Sequence, residues 1–158
     1  MKKIFLIAFA VMTSGFAHAD VFEGYQNSGR TALQLALNEP AQTERIVTEI
    51  NTMIGFGWEI MDLYAVKYPE CKAQFEQFKE LAKQIDSLSY AQIDELYHDG
   101  KGLVAAPRLC YKGRSLVVHP YQVIALAKEN RLVKDKAVVD HEMNEVIERA
   151  EAIRDILK

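Results

Sequence analysis

The segment of this sequence best suited to chemistry is a glycine-rich stretch, residues 98–114, with an excess of positive charge. Besides three glycines and a proline, it carries four cations and a tyrosine: Lys101, Arg108, Lys112, Arg114 and Tyr111. Asp99 is its only acid. Glycines expose backbone N–H groups, and clustered cations attract anions. We therefore predict a loop that binds a small anionic ligand or an acidic partner protein, with Tyr111 as an amphipathic anchor. The simpler interpretation is a solvated loop whose cations neutralise the acidic helices.

The histidines suggest a different site. Glu95 and His98 form a Glu-x-x-His pair, a spacing that places both side chains on one face of an α-helix. Di-iron bundles need two such pairs and two further glutamates, whereas this sequence has one pair. With His119, the pair forms the alternative hypothesis, a metal- or cofactor-binding redox accessory protein. The simpler interpretation is a solvated helix end, where a cation such as protonated His98 is favoured. No cofactor is predicted.

Several catalytic signatures are missing from the sequence. There is no G-x-S-x-G motif and no phosphate-binding glycine loop of a recognised type. Neither C-x-x-C nor C-x-x-C-H occurs. The two-cysteine bundle resembles cytochrome c′-type bundles in outline only, because the motif that attaches their haem is absent. These absences favour a non-enzymatic binding protein. A hydrolytic enzyme stays an open alternative, because catalytic triads are defined in space and not by a sequence motif.

The N-terminus has the three parts of a cleavable signal peptide. Lys2 and Lys3 precede an apolar run over residues 4–12, and an A-x-A cleavage site ends at Ala19. The run is shorter than the roughly 20 residues that span a membrane. We therefore predict cleavage near Ala19/Asp20, no stable membrane insertion afterwards, and a periplasmic or secreted protein. Loss of the two lysines changes the formal net charge from −3 to about −5, which argues against a nucleic-acid binder.

Two cysteines, Cys71 and Cys110, follow the predicted cleavage site. An even pair in an oxidising compartment is typical of a disulfide. The bond would close a loop of about 40 residues, for which chain entropy gives roughly 4 kcal/mol of stabilisation. It would also fix the basic segment to the helix that begins near Cys71.

The remaining sequence has the apolar periodicity of helices. Apolar residues recur at alternating spacings of four and three, as in residues 46–68 and 139–157, and no strand pattern is strong. We predict one all-α domain over residues 20–158, a bundle of four to five helices. Residues 20–38 are expected to be an irregular N-terminal segment in which 31–37 form either a short helix or a strand.

Prolines and glycines refine this outline. Pro120 is predicted to occupy the first position of a helix, which leaves His119 outside it in an extended conformation. Gly55 and Gly57 should each weaken a long helix by about 1 kcal/mol relative to alanine. They indicate a kink, a close helix crossing, or room for a flat ligand beside Trp58. The apolar seam of the last helix is either core or a homodimer interface.

Overall fold

The computed structural model describes residues 14–158, with side chains from Asp20 onward. Residues 1–13 of the predicted signal peptide lie outside the described residues, and the signal peptide stays a prediction. The described part of the chain is all-α, as predicted, and contains no strand. Its six α-helices are α1 Ser14–Asn38, α2 Thr43–Lys67, α3 Lys72–Ala82, α4 Tyr90–Ile93, α5 Cys110–Lys128 and α6 Lys136–Leu157. The prediction of four to five helices was therefore too low.

The N-terminal segment is a long helix rather than an irregular stretch. α1 runs through residues 31–37, so the strand alternative is wrong. It packs against α2 and α6 and buries Phe22, Tyr25, Ala32, Leu35 and Ala36. Gly24 lets α2 approach, because a Cβ there would lie 2.5 Å from the Phe56 ring.

α2 is the central helix, in contact with α1, α5, α6 and α3. Its predicted apolar stripe is buried, with Ile46, Ile50, Met53, Met61 and Tyr64 in the core. Gly57 lies at the crossing with α5, where a Cβ would be 3.0 Å from the carbonyl oxygen of Leu116. A Cβ at Gly55 would have nothing within 4 Å. Close helix crossing therefore explains Gly57 and leaves Gly55 unexplained.

α5 begins at Cys110, earlier than predicted, and contains Pro120 in its interior. The predictions that Pro120 starts this helix and that His119 lies outside it are wrong. Proline cannot donate to the carbonyl four residues earlier, which here belongs to Leu116. Tyr25 Oη from α1 donates to that carbonyl at 2.8 Å. With its carbonyl satisfied, the helix continues through the proline and buries His119.

The predicted disulfide between Cys71 and Cys110 is confirmed, with the sulfur atoms 2.05 Å apart. Cys71 ends a single 3₁₀ turn, Pro69–Cys71, and Cys110 is the first residue of α5. The bond therefore ties the start of α5 to the start of α3.

α6 packs its apolar seam against α1 and α5. The seam residues Val139, Met143, Val146, Ala150 and Ile153 are all buried. The seam is therefore part of the core of this chain and is not exposed as a homodimer interface. None of the helices described is long and apolar enough to cross a membrane.

Candidate functional site

A cleft of about 810 Å³ opens beside the start of α5. One wall is the loop of residues 99–109 that precedes α5, and the other comes from the first turns of α5 and from Arg149 of α6. Its cations are Arg108, Lys112, Arg114 and Arg149. Among the described residues that line it, Asp99 is the only acid. We call this site the α5 cleft.

Four of the five predicted binding residues line the α5 cleft: Arg108, Tyr111, Lys112 and Arg114. Lys101 does not, because its ammonium lies 3.3 Å from the carboxylate of Glu95 and 3.8 Å from that of Asp99. The loop also ends earlier than predicted, so Tyr111, Lys112 and Arg114 belong to α5. Gly113 does not end the loop; it sits inside the helix and faces the Phe75 ring.

Arg114 is buried at the wall of the cleft, with only 5% of its surface exposed. It donates to the amide oxygen of Gln74 at 2.7 Å and to the carbonyl oxygen of His98 at 3.1 Å. Both acceptors are uncharged, and within the described chain the Arg114 Nε has no hydrogen-bond partner. Burial lowers the pKa of its guanidinium, yet an arginine stays charged in proteins. A buried charge without a counter-ion is costly, so this position favours an incoming anion.

The loop wall of the cleft is held in place from α3. Gln74 Nε2 donates to the carbonyl oxygen of Val104 at 2.8 Å, and the Val104 N–H donates to Gln77 Oε1 at 2.6 Å. The disulfide fixes the far end of the loop at Cys110. A site that is shaped before its ligand arrives loses less entropy on binding.

Tyr111 connects the cleft to a buried polar cluster. Its hydroxyl oxygen lies 2.6 Å from His98 Nε2 and 2.9 Å from His119 Nε2. A hydroxyl has one proton, so it donates to one imidazole and accepts from the other. Burial raises the pKa of the Tyr111 phenol, although Arg149 opposes this shift. The guanidinium carbons of Arg149 and Arg114 lie 5.0 and 5.5 Å from the centre of the Tyr111 ring, within cation–π range.

Carboxylates stand behind both imidazoles. His119 Nδ1 lies 2.5 Å from Glu142 Oε2, and neither atom has a hydrogen bond to another described group. Burial alone would raise the pKa of the Glu142 carboxyl. The contact with His119 lowers this pKa by more, so the net pKa is below its ordinary value. His98 Nδ1 lies 3.5 Å from Asp94 and 3.6 Å from Asp99.

The structure brings His98 and His119 together but does not bring Glu95 to them. The two imidazole centroids are 5.1 Å apart, whereas the Glu95 carboxylate faces Lys101. Residues Asp94–His98 form a π-helical turn, which is wider than an α-helical turn. A separation of three residues therefore does not place Glu95 and His98 on one face here. Across residues 20–158, no group of three or more His, Cys, Asp or Glu side chains is arranged to hold a metal ion.

No protein-family model, no curated protein and no solved structure matches this chain. Function is therefore inferred from the α5 cleft and the side chains around it.

Sequence reasoning missed Arg149 and Glu142. Both are charged residues that flank the apolar seam of α6. Glu142 follows Val139 by three positions and Arg149 follows Val146 by three, whereas exposed Glu148 lies on the opposite side of the helix. They turn inward because α6 packs against α5. A tertiary contact, rather than a sequence motif, makes them part of the site.

Proposed function

We propose that this protein is an exported, non-enzymatic helical protein that binds a small organic anion in the α5 cleft. The observation that carries the proposal is Arg114, which is 5% exposed at the cleft wall and pairs with no described carboxylate. A bound anion supplies the missing counter-charge. Arg108 and Lys112, both exposed beside it, attract the anion towards the cleft.

The position of Arg114 favours a small ligand over an acidic protein surface. A flat partner cannot reach a guanidinium that is nearly inaccessible, whereas a small anion can enter the cleft. The loop wall is largely apolar and includes Val104, Ala105, Ala106, Pro107 and Leu109. A carboxylate attached to a compact aliphatic or aromatic group matches both walls, because arginine pairs with carboxylates through two parallel hydrogen bonds.

Export forms the second part of the proposal. It is supported by the signal-peptide pattern that ends at Ala19 and by the disulfide, since disulfides persist in oxidising compartments. N-terminal sequencing of protein recovered from the periplasm or the medium should begin at Asp20. Recovery of the chain only from the cytoplasm, with residues 1–19 intact, would contradict export.

Anion binding can be tested on chelator-treated, untagged protein with acetate, benzoate, succinate and inorganic phosphate as probes. At least one carboxylate should raise the Tm in a concentration-dependent manner and bind with one-to-one stoichiometry in calorimetry. Arg114→Met should weaken that binding at least about tenfold, because hydrogen bonds to a charged group contribute about 1.5–3 kcal/mol.

Arg45→Met is the matched control, because Arg45 is exposed on α2 and away from the cleft. Arg114→Met keeps much of the side-chain volume but leaves the acceptors on Gln74 and His98 without their donor, so circular dichroism checks that the variant folds. The proposal fails if no probe stabilises the wild-type protein, or if Arg114→Met binds the probe as the wild type does.

A further inference from the structure

We propose that Tyr111, His98 and His119 form a binding site for one first-row transition-metal ion of the copper(II) or zinc class, beside the α5 cleft. The ligands are the phenol oxygen and the two imidazole Nε2 atoms. This site is separate from the anion position at Arg114 and does not depend on it.

The three donor atoms already converge. The phenol oxygen is 2.6 Å from one Nε2 and 2.9 Å from the other. A metal ion bound at about 2.0–2.1 Å from each imidazole nitrogen needs donor atoms roughly 3 Å apart. The phenol oxygen moves away from the two nitrogens so that the ion enters between the three donors, and the phenol proton leaves to water as the ion binds.

Carboxylates lie near the second ring nitrogen of both imidazoles, most closely at His119. A histidine that binds metal through one ring nitrogen usually presents the other to a carboxylate, which fixes the ring. Here His119 Nδ1 is 2.5 Å from Glu142 Oε2. His98 Nδ1 faces Asp94 at 3.5 Å and Asp99 at 3.6 Å. Each ring therefore has its Nε2 next to the Tyr111 hydroxyl and its Nδ1 nearest to a carboxylate.

The local charge also suits a cation. Four carboxylates lie within 4 Å of the two Nδ1 atoms: Asp94, Asp99, Glu142 and Glu145. Two guanidiniums, those of Arg114 and Arg149, lie near the Tyr111 ring. Lys101 lies 3.8 Å from the Asp99 carboxylate, so four carboxylates face three cations. The described cluster thus has an excess of one negative charge, which favours a cation.

The donor set indicates the class of ion. Imidazole suits copper, zinc, iron and nickel, and the absence of a thiolate among the described donors disfavours copper(I). Tyr111 and His98 both line the cleft, so an ion can reach them from it, although the cations that line the cleft slow the approach of a metal cation. Three protein ligands leave a coordination position open towards the cleft, as in metal sites that bind an exogenous ligand.

The test uses untagged, chelator-treated protein and Cu²⁺ or Zn²⁺ alone in a non-coordinating buffer. Native mass spectrometry should show one ion per chain, with Cu²⁺ bound more tightly than Zn²⁺. The copper form should have a visible phenolate-to-metal charge-transfer band. His98→Ala should weaken binding at least about tenfold, and Tyr111→Phe should abolish the band.

His141→Ala is the matched control, because His141 is exposed on α6 and pairs with Glu145 rather than with Tyr111; it should bind copper as the wild type does. His98 is half-buried, so His98→Ala is expected to fold, and circular dichroism checks this. The proposal is overturned if the protein retains neither ion, if His98→Ala binds with wild-type affinity, or if the band is absent or persists in Tyr111→Phe. None of these outcomes depends on Arg114, so failure of the metal proposal leaves the anion proposal standing.

Discussion

Tyr111 and Arg114 lie one helical turn apart at the start of α5 and serve two different environments. Arg114 presents a buried, uncompensated charge to the cleft. Tyr111 has its ring beneath two guanidiniums and its hydroxyl between two imidazoles. A spacing of three residues in a helix places side chains on one face. The same face therefore presents the guanidinium of Arg114 and the phenol of Tyr111, one of the proposed metal ligands.

Gly113, between these two residues, is required by packing. A Cβ there would lie 2.7 Å from Phe75 Cζ and 3.2 Å from Tyr64 Cδ1, and both rings are buried. Gly113→Ala should therefore lower the free energy of unfolding by about 1–3 kcal/mol through overpacking, although alanine has the higher helix propensity. Urea denaturation measures the change.

Gly55→Ala provides the comparison within the same protein. Gly55 is inside α2, and a Cβ there would meet nothing within 4 Å. This variant should gain up to about 1 kcal/mol of stability. Equal changes in the two variants would show that packing at Gly113 is looser than the structure indicates.

At the scale of elements, α4 and the π-helical turn that follows it orient His98. Ser89 and Gln92 have the spacing of a capping box, and in the structure each side chain accepts a hydrogen bond from the other residue's backbone N–H. The π-helical turn closes with a hydrogen bond from the Asp99 N–H to the Asp94 carbonyl at 2.8 Å. Gln122 of α5 donates to the Asp94 carboxylate at 2.9 Å. This short segment is thereby fixed against α5, where His98 meets Tyr111.

Glu129, just after α5, adds a second cap to α4. Its carboxylate accepts a hydrogen bond from the Tyr90 N–H at 2.8 Å and another from Arg131 at 2.8 Å. These two hydrogen bonds lower the pKa of the Glu129 carboxyl below its ordinary value of 4.5. The ionised Glu129 carboxylate therefore stabilises the fold fully above pH 4.5, and this stabilisation is lost as the pH falls through the lowered pKa.

Glu129→Gln should reduce the free energy of unfolding at neutral pH by about 0.5 kcal/mol, a modest value because the group is partly solvated. The difference between variant and wild type should shrink as the pH falls below 4.5. Urea denaturation across this range measures it. A difference that stays constant with pH would mean that the carboxylate charge does not contribute.

At the scale of the whole molecule, the disulfide joins two distant parts of the chain, 39 residues apart. Replacing both cysteines by alanine should lower the free energy of unfolding by roughly 4 kcal/mol, because the unfolded chain regains the entropy of an open loop. Denaturant titration of the variant, and of the wild type with and without reductant, gives the value. Reductant should leave the variant unchanged. A loss below about 1 kcal/mol would contradict this account.

Much of the fold follows from local sequence patterns. Alternating spacings of four and three indicated the α2 and α6 helices, Ser89 and Gln92 indicated a helix start, and the two cysteines indicated the disulfide. Four of the five residues predicted to bind an anion line one cleft. These features depend on residues close in sequence or on a pair with a single possible partner, so short-range physics is sufficient to predict them.

Tertiary contacts decided the rest. Pro120 does not begin a helix because Tyr25, from α1, satisfies the carbonyl of Leu116 that proline leaves free. Nothing in the sequence distinguishes Arg114 from Arg108, yet packing buries Arg114 and leaves Arg108 exposed. Glu142 joins His119 only because α6 lies against α5. Burial and the pairing of distant side chains arise when helices pack, and no local periodicity encodes them.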